Sequence, residues 1–508
     1  MMAKLLMIQG TGSSVGKSIL ATALCRIFKQ DGYRVAPFKS QNMALNSFVT
    51  KEGGEMGRSQ VVQAEAAGID PHVDMNPVLL KPEADAKSQV VVLGKPKLTL
   101  KAGDYYRYTP ELLTVAMGAL ERLRSQFDIV VIEGAGSPAE VNLKEREIVN
   151  MRIAKLAGAP VLLVGDIDKG GVFASLVGTL VLLDEEEQAL IRGFIINKFR
   201  GDISLLQSGL DYLEERTGRP VIGVVPYYHD IIIAQEDSIR RQERETPTQG
   251  KEVIDIAVIH FARISNSTDF EPLQVEEGVK VRYVPPHGEL GEPDAIILPG
   301  TKSTISDLAL IRETGLADEI VQRSVGGTPV VGICGGYQIL GKEIRDPLHV
   351  ESGRGSVAGL GLLDVVTIFE PIKTTTQVKA RVASNRGLLA NSAGEEVIGY
   401  EIHMGKTSGD GVEPAFYVTH TPDGEAKTPD GAVSSDGQTF GTYLHGLFDN
   451  PSFRHEFLAR LAQRKAMTHP QRRPILSKEQ HYNKLADLVR RSLNMELVYQ
   501  ICGLEASK

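Results

Sequence analysis

The chain has 508 residues, 42% of them hydrophobic and 24% charged, the balance of a folded globular protein with room for two or more domains. Its 56 basic and 64 acidic side chains leave a formal charge of −8, which speaks against a general nucleic-acid binder. Three widely separated cysteines (Cys25, Cys334, Cys502) form neither a disulfide framework nor a metal-ligand spacing, and no stretch approaches the roughly 20 apolar residues of a membrane span, so the expected compartment is a reducing cytoplasm.

In chain order, the short apolar runs at 4–9, 128–132, 160–164, 192–196 and 220–225 predict buried strands, with helical periodicity over 17–30 and 204–216. Strand alternating with helix implies an α/β fold with a mostly parallel sheet covered on both faces. The rhythm stops near residue 235, and 236–252 is polar throughout, as an interdomain linker would be. A second alternating pattern has strands at 254–260, 279–284, 294–298 and 329–333 and runs to about residue 453, before a charged helical tail over 454–508. The expected domains are therefore 1–235 and 253–453.

The first strand leads into Gly10-Thr-Gly-Ser-Ser-Val-Gly-Lys-Ser18, a glycine-rich turn that opens a predicted helix. Such a turn wraps its backbone N–H groups around phosphate. Gly10, Thr11, Gly12 and Gly16 would form the cradle for ATP, Lys17 would reach a terminal phosphate, and the Ser18 hydroxyl would bind Mg²⁺. A carboxylate at a strand C-terminus would complete the metal site. Glu133, which ends DIVVIE before Gly134-Ala135-Gly136, is the first candidate, with Asp166 and Asp168 as alternatives.

Residues 329–336, Pro-Val-Val-Gly-Ile-Cys-Gly-Gly, run an apolar strand into Gly332-x-Cys334-x-Gly336. A sharp strand-to-helix turn of this kind exposes its central residue as a nucleophile, and the helix start favours the thiolate. The thiol needs a base. His445, in GTYLHGLF (441–448), is the best candidate; His260, His287, His349 and His403 compete, and His403 with its neighbour Glu401 is the strongest rival. Backbone N–H groups of Gly335 and of the segment 298–302 would bind the oxyanion.

GTGSSVGKS and the EGAG stretch resemble dethiobiotin synthetase; partition-type ATPases carry an additional loop lysine where this chain has Gly12. GICGGYQ with YLHGLF resembles class I glutamine amidotransferase domains, in which a Cys-His pair hydrolyses glutamine. Many of those carry His-Pro-Glu, whereas here Gly446 and Leu447 follow His445, so the third member of the triad is missing from that place. Taken with KSQNMALNS (39–47), EMGRSQ (55–60), MNPVLLKP (75–82), EGAGSPAEVNL (133–143), GDIDKGGVFAS (165–175) and GYEIHMG (399–405), the chain resembles the cobyric acid synthases over residues 1–455.

That resemblance implies an N-terminal P-loop domain like dethiobiotin synthetase, a C-terminal class I glutamine amidotransferase domain, and four amidations of corrin carboxylates at b, d, e and g, each using ATP and L-glutamine. The implied partners are glutamine and a corrinoid, with neither nucleic acid nor membrane. Asn42, Asn46, Arg58 and Gln60 are candidate contacts for a substrate rich in carboxylates and amides, and Glu147 stands where the family often has aspartate. The competing enzyme reading is a cobyrinic acid a,c-diamide synthase, and the non-enzymatic one a partition-type switch ATPase.

Overall fold

Continuous apolar runs suit strands covered on both faces, and five of them assemble with a sixth, Val35–Phe38, into a parallel sheet in the order Val221–Pro226, Ile191–Phe199, Val161–Asp166, Lys4–Gly10, Ile129–Glu133, Val35–Phe38. These coordinates come from a computed structural model, which describes residues 2–84, 87–228, 231–233, 253–467 and 477–505. The expected linker over 236–252 lies outside the described residues.

Two units emerge: one comprises Met1–Ala44, Glu55–Gln235 and Leu476–Lys508, the other Leu45–Gly54 and Glu236–Ile475. In the first, the helix Lys17–Gln30 lays Ile19, Leu20, Leu24, Ile27 and Phe28 into the core, each such burial contributing about 1.5–3 kcal/mol. A four-stranded sheet (Gln41–Met43, Val78–Ala84, Lys87–Val92, Lys95–Lys101) is appended to it and was not expected from the sequence.

The second unit has its own six-stranded sheet, in the order Val279–Val284, Ile254–Ile259, Ala295–Leu298, Val330–Ile333, Thr439–Thr442, Ala432–Val433, parallel except at the last pair. Beside it lies a seven-stranded, largely antiparallel sheet built around two long strands, Val366–Val382 and Glu396–Ser408.

The expected tail from residue 454 divides between the units. Helix Pro451–Arg464 buries Phe453, Phe457, Leu458 and Leu461 in the core of the second. Helices Lys478–Ser492 and Met495–Cys502 belong to the first, where Leu485, Val489, Val498 and Tyr499 pack with the residues of Lys17–Gln30. Arg490 seals that packing with an ion pair to Asp31 at 2.8 Å.

Candidate functional site

Parallel pairing brings the C-terminal ends of the central strands side by side, with Ile8 opposite Glu133 and Gly10 opposite Val164. The glycine-rich turn follows directly. Gly16 adopts φ 108° as the cap of the helix, and a β-carbon there would strike the Asn197 amide at 2.0 Å. The helix opens with no side-chain cap and no acidic residue in its first turn, an arrangement that suits an anion.

Lys17 is buried and donates to the carbonyls of Gly12 (2.7 Å) and Gly136 (3.0 Å), tying the loop to the EGAG segment. Ser18 Oγ donates to Glu133 Oε1 at 2.7 Å. Glu133 is 1% exposed. Burial would push its carboxyl up, but the Lys39 ammonium at 3.0 Å and hydrogen bonds from Ser18 and Gln63 outweigh it and hold the group below the usual glutamate range.

The hydroxyl of Ser18 and the ionised Glu133 are hard oxygen donors of the kind Mg²⁺ takes. Beside them, Gln63 Oε1 is buried and has no hydrogen-bond partner among the described residues, which fits a cluster built to receive a further group. Asp166 pairs with Lys198 at 2.6 Å, and Asp168 with Arg200 at 2.9 Å. Lys198 also donates to the Ser14 carbonyl and Asn197 to that of Val15, so Asn197-Lys198 clasps the loop from strand Ile191–Phe199, the next but one in the sheet, a role the sequence did not disclose.

Asn42 and Gln60 are buried in the same cluster, Asn42 donating to Gln60 Oε1 and Gln60 to Glu133 Oε2. Arg58 is buried nearby in sequence, at the start of helix Arg58–Ala67. Glu147 is occupied by backbone N–H groups of Val149, Asn150 and Arg152, capping the start of helix Met151–Ala157. Asn46 falls in the other unit.

In that unit, strand Val330–Ile333 turns at Cys334 into helix Gly335–Leu340. Cys334 stands at φ 53°, ψ −111°, a left-handed position that costs a non-glycine residue about 1–3 kcal/mol and is typical of strained functional turns. The turn is too tight for side chains around it: a β-carbon on Gly336 would sit 1.9 Å from the Leu298 carbonyl oxygen. On Gly335 it would come within 3.0 Å of the Thr301 nitrogen, which sets the 298–302 segment beside the Gly335 backbone.

His445 sits in the short strand Leu444–His445, paired with Tyr400 and Glu401. Its Nδ1 lies 2.7 Å from Asp269 Oδ2, both side chains all but fully buried. Burial would favour the neutral ring, but the Asp269 carboxylate overrides it and, with a further contribution from the Cys334 thiol, pushes the imidazole pKa up to about 10. With Nδ1 taken by Asp269, Nε2 is the nitrogen left for that thiol. The rival His403 is stacked on Tyr443 at 3.7 Å between centroids and lies 3.7 Å from Glu401.

Asp269 is the residue sequence reasoning missed. It stands in the short turn Ser267–Phe270, after the sheet strand Ile254–Ile259. Its Oδ1 accepts the N–H of Gly446 at 3.0 Å, a bond that a proline following the histidine could not make. A polar Asn-Ser-Thr-Asp run beyond the C-terminal end of a buried parallel strand was the available signal, since ligand sites collect there.

Comparison with known proteins agrees with both halves. Residues 6–240 match the CobQ/CobB/MinD/ParA nucleotide binding domain, and residues 255–453 the CobB/CobQ-like glutamine amidotransferase domain. The chain is 58% identical to the cobyric acid synthase of Dehalococcoides mccartyi, covering 98% of both chains. It is 51% identical to that of Pelotomaculum thermopropionicum, covering 99% of this chain and 97% of the relative. A nucleotide-binding unit joined to a glutamine amidotransferase unit makes this enzyme a glutamine-dependent amidating ligase. The chain belongs to the cobyric acid synthase family. Among the described residues no helix is long and apolar enough to cross a membrane.

Proposed function

We propose that the enzyme amidates the b, d, e and g carboxylates of (adenosyl)cobyrinic acid a,c-diamide to give (adenosyl)cobyric acid. Each amide would consume one ATP and one glutamine. The observation that carries the nitrogen-supplying half is Cys334 held in a strained turn with the buried His445–Asp269 pair beside it.

In this reading the Cys334 thiolate attacks the glutamine amide carbon, and the oxyanion is held by the Gly335 N–H and the 298–302 backbone. Protonated His445 gives its proton to the departing nitrogen, so ammonia leaves and a γ-glutamyl thioester remains. His445, now neutral, takes a proton from water, which hydrolyses the thioester to glutamate. At the P-loop the γ-phosphoryl of ATP passes to a corrin carboxylate with release of ADP. Ammonia attacks the acyl phosphate and phosphate leaves. Lys17 binds the transferring phosphoryl group, and Ser18 and Glu133 would hold Mg²⁺, which supplies charge neutralisation at the phosphates.

Amide counting by mass spectrometry on each corrin tests the substrate assignment. Four amides added to the a,c-diamide are expected; two added to cobyrinic acid and none to the diamide would make the enzyme an a,c-diamide synthase instead.

Asp269→Asn should lower kcat for glutamine hydrolysis on the order of 10³-fold or more, because the amide can no longer hold the imidazole as its charged partner. The pH dependence gives the same assignment a sign. The folded protein binds the His445 proton more tightly than an unfolded chain, where the ordinary value is 6.5. Its contribution to stability is therefore complete below about pH 6.5 and is lost as the pH rises through about 10. Since the departing nitrogen needs that proton, glutamine hydrolysis should fall as pH passes about 10, and in Asp269→Asn the fall should begin at lower pH. A pH–rate profile of glutamate release, identical in the two proteins, would remove Asp269 from the mechanism.

A further inference from the structure

The ten residues Leu45–Gly54 are flanked on both sides by chain that builds the P-loop unit, yet they cluster with the cysteine unit. Their attachment there is specific. Ser47 N–H donates to Asn266 Oδ1 at 2.9 Å, and Asn46 Oδ1 in return accepts from the N–H of Ser267 at 2.8 Å. The Ser47 carbonyl accepts from the Tyr400 hydroxyl at 3.3 Å. Asn46, Ser47, Asn266 and Ser267 are all buried, where an unmade hydrogen bond is costly.

Each tie ends on a residue next to the reacting groups. Asn266, at φ 55°, and Ser267 begin the turn that carries Asp269. The Tyr400 ring is stacked on the His445 imidazole, 5.4 Å between centroids and 19° from parallel. Val49 packs with Tyr400 and Ile402, and the Ile402 carbonyl accepts the Cys334 thiol at 3.4 Å. One short segment thus braces the acid, the histidine and the thiol.

We propose that Asn46 and Ser47 are positioning residues for glutamine hydrolysis: docked against Asn266, Ser267 and Tyr400, they hold Asp269 and the Tyr400 ring in register with His445. This rests on the reading that Cys334 and His445 hydrolyse glutamine. It gives Asn46 a task other than the corrinoid contact expected from its place in the sequence motif. Misplacing a catalytic pair by about 1 Å costs roughly 100-fold in rate, so small losses of bracing should be visible.

The test uses full-length Asn46→Ala and Tyr400→Phe, the second removing one hydroxyl and leaving the ring in place. Glutamate release should fall about 10- to 100-fold in the first and several-fold in the second, in kcat rather than in KM for glutamine. The alkaline limb of the Asn46→Ala profile should move to lower pH as the Asp269–His445 pair loosens. Ammonia-supported amidation and the KM for the corrinoid should stay within about twofold of wild type. Undiminished glutamate release in both variants, or an Asn46→Ala defect equal with ammonia and glutamine, would overturn the proposal, as would a raised corrinoid KM. Cys334→Ala assayed in parallel separates the two levels: if it still releases glutamate, the reading of the cysteine site fails rather than the bracing.

Discussion

Cys334→Ala is expected to abolish glutamine-supported amidation while leaving ammonia-supported amidation largely intact. The loss should be on the order of 10⁴-fold or more, because removing a covalent nucleophile leaves only binding and oxyanion contacts. The substitution is structurally mild. Alanine at φ 53° carries the same left-handed penalty as cysteine, so the turn gains no new strain, and the losses are the thiol's bond to the Ile402 carbonyl at 3.4 Å and its interaction with His445. The buried His445–Asp269 pair does not depend on sulfur for its 2.7 Å contact. Comparing amide formation from ammonium salts and from glutamine in the purified variant decides the matter. Equal loss with both sources in a well-folded protein would show that Cys334 does more than supply nitrogen.

Lys17→Ala should instead remove amidation from both nitrogen sources, by at least about 100-fold, the scale for deleting one charged contact to a developing anion. Its ammonium bridges the Gly12 and Gly136 carbonyls, so it stands between the two loops where a terminal phosphate would arrive. Removing it cuts the tie to the EGAG segment and would take away the proposed phosphate contact as well. The readout is ADP formed per amide with saturating ammonia and corrinoid. Wild-type turnover without Lys17 would rule out this loop as the ATP site.

The turns that hold these two residues were legible because they demand special backbone geometry. Gly16 at φ 108° and the glycines flanking Cys334 are forced by close approach, and such requirements leave a local mark on sequence. Most strands of the two mainly parallel sheets were equally plain, since burial makes them unbroken apolar runs; the short Val35–Phe38 and Ala432–Val433 were not read. The antiparallel sheet of the second unit was not. Strand Val366–Val382 is buried only at scattered positions, and its central stretch, Pro371–Gln377, is partly or fully exposed, so neither a continuous run nor a clean alternation survives.

Asp269 escaped for a different reason: it meets His445 across 176 residues, and nothing local announces a pairing of that span. The replacement of the usual Pro-Glu by Gly446-Leu447 looked like the absence of a partner. In the structure it is the accommodation of one, since Gly446 supplies the N–H that fixes the second oxygen of Asp269.

The way the chain is shared between the units bears on its biosynthesis. Residues 45–54 leave the first unit for the second, and 477–505 return to the first after the second has been made. Helix Lys17–Gln30 is made long before the helices that share its core, Lys478–Ser492 and Met495–Cys502. The apolar side it presents to them therefore stays uncovered while the chain between them is translated, a window in which a chaperone is useful and premature collapse a hazard. For the same reason the chain offers no single cut between halves: a fragment starting at residue 253 would lack Leu45–Gly54, and one ending at residue 235 would lack the helices that close its core.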